Sequence, residues 1–271
     1  METNPKVSVI IPSLDGYRGG NVPKLLEDIH NQTIKDLEIH VVKGVVPNGK
    51  ARNEGANLAK GRFLVFIDDD VRLGNEYVIE NLIKALENDD TIGLAGPSQL
   101  IPQDSNWFQR QAAKQIPRNF FPIMDENKES DMVTHMCMAM RKDFFLAIGR
   151  ENEYLISGTD PDLRYRVRKT GKKIVVVANT WAYHPLPNNL LSLLKLSFIK
   201  GRDSAWVWHH HPEFLYEVDK GNNQVFIYKR PLYYRIFRAI GICAYDFFSF
   251  KWIYFISRVS YSFGWLSHFL L

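Results

Sequence analysis

Three short apolar runs, each followed by a stretch of polar or helical residues, constrain this chain more than any other feature. Residues 7–11 (VSVII), 37–42 (LEIHVV) and 63–67 (FLVFI) are rich in β-branched and aromatic side chains, and Pro12 stops the first run. Helical patterning fills residues 22–30 and 51–60 between them. Strands alternating with helices predict βαβ units and a parallel sheet, since parallel neighbours need a crossover of about a dozen residues or more. Ligands of such sheets gather at the carboxyl ends of the strands, which here read Pro12-Ser13, Lys43-Gly44 and Asp68-Asp69-Asp70.

The last of these ends carries the most chemistry. Three adjacent carboxylates buried without partners would cost several kcal/mol per charge. They must be solvated, cap the next helix, or meet a cation. Mg²⁺ and Mn²⁺ bind carboxylate oxygens, and Mg²⁺ is commonly held by one or two carboxylates together with substrate phosphates. A strand that ends in Asp68-Asp69-Asp70 suits a site of that half-built kind.

Further along, helical spacing covers residues 76–87 and a strand is expected at 92–95. A polar, Pro-containing stretch without clear periodicity runs from about 97 to 131 and reads as a mobile or acceptor-facing region. Residues 134–140 (THMCMAM) resume strand character, a helix is expected over 161–169, strands at 173–177 and 180–184, and an amphipathic helix at 190–200. Pro161 fits a first helical turn, which sets Asp160 at or next to the N-cap, where free backbone N–H groups favour an ionised carboxylate. Such a group is either a helix cap or an exposed, oriented general base. His184 ends the last strand before Pro185 and is either a locally satisfied imidazole or a further metal ligand.

In this order the motifs resemble the inverting glycosyltransferases of family 2. The matching pieces are Val7–Pro12 in "VSVIIP", Ala51-Arg52-Asn53-Glu54-Gly55 with Ala59-Lys60-Gly61, Asp68-Asp69-Asp70, Thr159-Asp160-Pro161-Asp162-Leu163 with Arg166, and Tyr183-His184. The similarity spans about residues 6–185. It implies the GT-A fold, an α/β architecture with a mixed, mainly parallel sheet flanked by helices. By the same resemblance Asp160 is the catalytic base, and Asp70 and His184 hold a Mn²⁺ or Mg²⁺ that bridges the donor diphosphate. Asp68 reaches the nucleoside, Asp69 a sugar hydroxyl, Pro12 and Ser13 lie under the nucleobase, and Arg52 and Asn53 lie near the nucleotide. Two positions depart from the family pattern. Lys43 stands where the family places acidic residues toward the base, so it offers donors in place of acceptors, and Thr159 replaces a glutamate before Asp160.

The expected partners are a nucleotide-sugar donor, a UDP-sugar first among them, and a glycan or lipid-linked acceptor, with no nucleic acid. Two distant cysteines, Cys137 and Cys243, match no metal or disulfide spacing and fit a reducing cytosol, and no leader pattern precedes the first strand. From residue 229 onward six bases face one acid, Asp246, amid many aromatics, while the whole chain is only +4. Arg238, Asp246, Lys251 and Arg258 interrupt this tail before any apolar run reaches the roughly 18 residues of a spanning helix. Amphipathic helices on the cytoplasmic face of a membrane are therefore expected, with a homodimer as the alternative cover for the tail. Three regions follow: a catalytic domain at 1–187, a helical extension at 188–228 and a membrane-facing tail at 229–271. Within the extension, His209-His210-His211 read as a polar surface turn before Pro212.

Two rival functions remain. A nucleotidyltransferase of sugar-nucleotide metabolism would need a Gly-rich phosphate loop, for which Asp15-Gly16-Tyr17-Arg18-Gly19-Gly20 is the candidate. A catalytically inactive membrane-bound scaffold is suggested by Lys43 and Thr159.

Overall fold

The computed structural model describes residues 4–116, 122–156, 158–214, 216–218, 225–227 and 231–270. In chain order the elements are β1 (Val7–Ser13), α1 (Asn21–His30), β2 (Leu37–Lys43), α2 (Asn48–Leu58), β3 (Phe63–Ile67), β4 (Arg72–Leu73), α3 (Val78–Asn88), β5 (Ile92–Leu100) and α4 (Trp107–Gln115). There follow β6 (Lys128–Glu129), β7 (Cys137–Arg141), α5 (Lys142–Ala147), α6 (Thr159–Lys169), β8 (Lys173–Tyr183), α7 (Leu190–His210), β9 (Tyr216–Val218), β10 (Val225–Ile227), α8 (Leu232–Phe248) and α9 (Trp252–Ser267). They fall into two compact units, Met1–Pro102 with Phe120–Pro185, and Gln103–Asn119 with Leu186–Leu271.

The first unit is built on a sheet of order β2-β1-β3-β7-β5-β8-β4, with β6 on β8. β1, β2 and β3 are parallel, β7 runs against β3 and β5, and β8 is parallel to β5. The five strands β1, β2, β3, β5 and β8 thus share one direction, and β7 enters the sheet where they leave it. All five residues of β3 are buried. Phe63, Val65 and Ile67 pack with Leu25 and Ile29 of α1 and with Val78, Ile79 and Leu82 of α3. Leu64 and Phe66 face the opposite layer, with Ala51 and Ala56 of α2 and Leu163 and Val167 of α6. A continuous apolar run is what a strand covered on both faces requires. Helix α2 approaches β1 closely at Gly55, where a Cβ would lie 2.4 Å from the Ile10 side chain.

In the second unit α7 and α9 cross at two glycines. A Cβ on Gly201 would lie 2.0 Å from the Tyr261 carbonyl, and one on Gly264 2.0 Å from the Phe198 carbonyl. Helix α4 joins the same unit: the Gln115 side chain accepts from the backbone N–H groups of Ile253 and Tyr254 at the start of α9. β9 and β10 pair as a small antiparallel sheet.

Several local expectations are revised. The stretch read as aperiodic contains α4, which opens with a capping box in which Asn106 and Gln109 bond reciprocally. Lys173–Tyr183 form one strand rather than two, because Asn179, at φ 52°, absorbs a bulge against β5 within it. Gly158, at φ 80°, caps α6 two residues ahead of Asp160. Helix α7 continues to His210, so His209 and His210 form its last turn and His211 its cap rather than a surface turn; Pro212 is the first residue that must stop it. In the tail Asp246 is buried and ion-paired to Arg258 at 2.6 Å, so Arg258 serves a buried carboxylate and not a lipid headgroup. Lys229 and Arg230 lie outside the described residues.

The glycine contacts set a mutational contrast. Gly55→Ala and Gly201→Ala should each lose about 1–3 kcal/mol through overpacking. Gly241→Ala, in the interior of α8 with nothing within 4 Å of the new methyl, should gain up to about 1 kcal/mol. Thermal denaturation of the three variants checks the order, and equal midpoints for Gly201→Ala and wild type would show that α7 and α9 do not meet at this crossing.

Candidate active site

The sheet direction assembles the site. Ser13, Lys43, Asp68 and His184 stand at or just past the carboxyl ends of β1, β2, β3 and β8, and the backbone N–H of Asp68 bonds the Met136 carbonyl at 3.1 Å just before β7 begins. The residue before Met136 is His135. The first turn of α6 brings Asp160 to it, with His135 Nδ1 2.6 Å and its backbone N–H 2.8 Å from Asp160 Oδ1.

The three aspartates sit in three different surroundings. Asp68 Oδ1 is 2.7 Å from the guanidinium of Arg52, which is itself only 3 % exposed. Asp69 accepts from the Ser13 hydroxyl at 2.7 Å and lies 3.4 Å from Arg18, while its backbone carbonyl accepts from the Asn21 amide. Partial burial raises the Asp69 carboxyl above its ordinary value, against the pull of the Ser13 bond and of Arg18. Asp70 has Arg18 at 3.3 Å and His184 Nε2 at 3.5 Å.

The remaining expected site residues are distributed as follows. Pro12 is buried within β1, and Lys43 is exposed at the end of β2, its stem beside Gly16. Asn53 is buried and spends its amide on the loop before α6: it donates to the Glu151 carbonyl at 3.0 Å and to the Glu153 carboxylate at 2.8 Å, and accepts from the Glu151 N–H at 2.9 Å. Arg52 and Asn53 therefore act on Asp68 and on this loop. The Gly-rich candidate phosphate loop is internally satisfied. Asp15 accepts from the N–H groups of Tyr17 and Arg18 at 2.8 Å each, Gly16 N–H bonds Ser13 Oγ, and Gly20 N–H bonds the Tyr17 carbonyl. A carboxylate seated on a loop's amides takes the place a phosphate would need.

Sequence reasoning missed His135 and Glu151. His135 Nε2 is 2.8 Å from Glu151 Oε1, and the Glu151 side chain is fully buried. Burial alone would depress the imidazole, but Glu151 and Asp160 on either side push it up to about 9 against the nearby Arg52. Burial would raise both acids, and the imidazolium instead holds Glu151 and Asp160 below the usual carboxylate range. Nothing in THMCMAM announces this, since the partners of His135 lie 16 and 25 residues downstream.

Residues 48–149 match the sequence model of "Glycosyl transferase family 2". Over that stretch the chain is similar to this family. No curated protein sequence matches it. Among solved structures, a mannosyltransferase from Pyrobaculum calidifontis in complex with GDP-Man and Mn²⁺ superposes with a TM-score of 0.59 at 12 % identity, covering 98 % of this chain and 88 % of the other. S. aureus TarS 1–349 aligns at TM-score 0.49 and 14 % identity over 71 % of this chain and 64 % of its own, and GalNAc-T7 with UDP, GalNAc and Mn²⁺ at 0.49 and 12 % over 68 % and 44 %. The first likeness fixes the architecture as GT-A-like. The stretch matched to the transferase family contains Arg52, Asn53, the three aspartates and His135, whereas Ser13, Lys43, Asp160 and His184 lie outside it.

The donor set at this sheet edge fits a divalent cation in part. Among the described residues no three His, Cys, Asp or Glu side chains converge as a metal cage. Asp70 and His184 do converge, which is the protein share expected when diphosphate oxygens complete the coordination. The Gln99 amide nitrogen Nε2 is 3.2 Å from His184 Nδ1 and fixes the orientation of the ring.

The buried triad predicts a pH dependence. An imidazole raised from about 6.5 contributes stability that is complete below that value and is lost as pH rises through about 9. The two depressed carboxylates contribute above their ordinary values near 4 and lose their contribution in acid. The wild-type melting temperature should therefore fall between pH 6.5 and 9, and His135→Gln should flatten that slope. Parallel slopes would show that His135 is neutral in the fold.

Proposed function

We propose that the domain is a metal-dependent, inverting glycosyltransferase that moves a sugar from a nucleoside-diphosphate sugar to a membrane-associated or lipid-linked glycan. The observation that carries this reading is that Asp70 and His184 meet at the carboxyl edge of the sheet, while the ionised Asp160 is held by His135, next to the Met136 carbonyl that binds the Asp68 N–H. Asp160 Oδ1 is occupied by His135, which leaves Oδ2 to take the proton of an acceptor hydroxyl. The acceptor oxygen attacks the anomeric carbon as the bond to the diphosphate oxygen breaks, the bonding pair leaving with the diphosphate. A single in-line displacement inverts the anomeric centre. Mn²⁺ or Mg²⁺ held by Asp70 and His184 would stabilise the charge that collects on the departing diphosphate. Asp68 and Asp69 face the donor beside Ser13, and Lys43 meets the nucleobase. The GDP-Man and Mn²⁺ of the Pyrobaculum structure support this donor class and a divalent ion. The self-satisfied loop at residues 15–20 counts against a nucleotidyltransferase.

The membrane part of the proposal rests on α8. In this helix Tyr233, Phe237 and Phe248 are 66 %, 71 % and 77 % exposed, and Ile236, Ile240, Tyr245 and Phe247 are also exposed. Asp246, the one fully buried side chain described in α8, is neutralised by Arg258. An apolar face of this size is a liability in water and suits the headgroup boundary of a bilayer, with Arg238 and Lys251 available to anionic lipid. Among the described residues no helix is long and apolar enough to cross a membrane. On this proposal the exposed aromatic face of α8 seats the chain peripherally at a cytoplasmic membrane face.

Two experiments test these readings. With Mn²⁺ or Mg²⁺ and a panel of UDP-, GDP- and dTDP-sugars, at least one donor should release its nucleoside diphosphate. Asp160→Asn should slow transfer by about 10²–10⁴ and leave donor binding intact. Release from none of the donors refutes the transferase reading. For the tail, the full chain should sediment with vesicles containing phosphatidylglycerol, and Phe237→Ser with Phe248→Ser should weaken this at least about tenfold. A wild-type chain that stays in the supernatant as a stable dimer would assign the aromatic face to a second copy.

A further inference from the structure

A largely buried charged cluster runs from α2 to the proposed base, and the chemistry above uses only its last member. Glu151 is fixed through its backbone, with its N–H donating to Asn53 Oδ1 and its carbonyl accepting from Asn53 Nδ2. Its buried carboxylate holds His135 Nε2. His135 then delivers two donors, Nδ1 and its backbone N–H, to one oxygen of Asp160. The residue before Asn53 is Arg52, which holds Asp68 on the donor side. Consecutive residues of one helical turn therefore fix both the first aspartate of the triplet and, through two intermediaries, Asp160.

We propose that His135 is a positioning residue for Asp160, a buried imidazolium locked from behind by Glu151 that occupies one carboxylate oxygen and turns the other to the acceptor hydroxyl. This rests on the reading of Asp160 as the general base. The geometry fits a proton on both ring nitrogens, because with both acids ionised a neutral imidazole would set one lone pair against a carboxylate oxygen. Without His135 the Asp160 side chain, 36 % exposed in the first turn of α6, would be free to rotate toward water or toward the α6 amides. The arrangement also survives the step it serves. When Oδ2 takes the acceptor proton, Oδ1 becomes a carbonyl-like oxygen that still accepts from both His135 donors, so no heavy atom has to move. Besides Glu151 and Asp160, the charges that bear on the cluster are Arg52 beside His135, Arg164 beside Asp160 and Arg166 beside Glu151. Arg164 donates to the carbonyls of Asp131 and Val133, which fixes the segment leading into His135.

The test separates orientation from folding. His135→Ala should lower kcat roughly 10–100-fold with the donor KM unchanged. His135→Gln, which keeps one donor toward Asp160 but cannot titrate, should recover most of that loss and abolish the decline of kcat on the alkaline side that the wild type shows near pH 9. Glu151→Gln should move that decline to lower pH. A ¹⁵N NMR titration of the His135 ring in the full chain reads the same coupling without turnover: Asp160→Asn and Glu151→Gln should each lower the pH at which the ring titrates. An unchanged ring titration in Asp160→Asn, or a wild-type kcat and pH profile in His135→Ala, overturns the proposal. Transfer at the wild-type rate by Asp160→Asn would instead overturn the reading of Asp160 as base.

Discussion

Everything at the site depends on the complete burial of β3. Five apolar residues sandwiched between two helical layers have no freedom to slide, since a slip of one residue would turn every side chain to the other layer. The strand can therefore carry charge only where it leaves the core, and it does so at once, with three aspartates. Each meets a different counterpart because each faces a different neighbour: Arg52 from α2, Ser13 from β1, and Arg18 and His184 on the open side. The apolar strand sets the position of the charges, and the adjoining elements differentiate them.

The antiparallel β7 is the second constraint. A strand running with its neighbours would present its far end at this edge; β7 presents its beginning. That reversal brings His135 alongside Asp68 and within reach of the start of α6. A sheet parallel throughout would leave Asp160 without this partner.

Much of the fold was legible because it is written in local periodicity. β3 was located to the residue, and the two preceding strands and the helices between them to within a few residues, since their burial pattern depends only on neighbours a few positions away. The misreadings have equally particular causes. Helix α4 was signalled by Asn106 and Gln109 at capping-box spacing, a pattern hidden by the polar composition around it. Helix α7 was cut short because Gly201 resembles an end in isolation, whereas its missing side chain is what lets the helix pass α9. The aspartate triplet was legible as a cluster but not in its inequality. His135 was not legible at all, because its role arises from contacts that only the finished sheet creates.

The second unit is discontinuous in sequence. Its helix α4 is synthesised early, yet the α9 amides that Gln115 binds come 138 and 139 residues later. During translation α4 can meet the carbonyls of Leu186 and Asn188 as soon as the chain leaves β8, but its contact with α9 has to wait until nearly the whole chain is made. A nascent chain thus has every strand of its large sheet synthesised while the aromatic helices α8 and α9 are still to come.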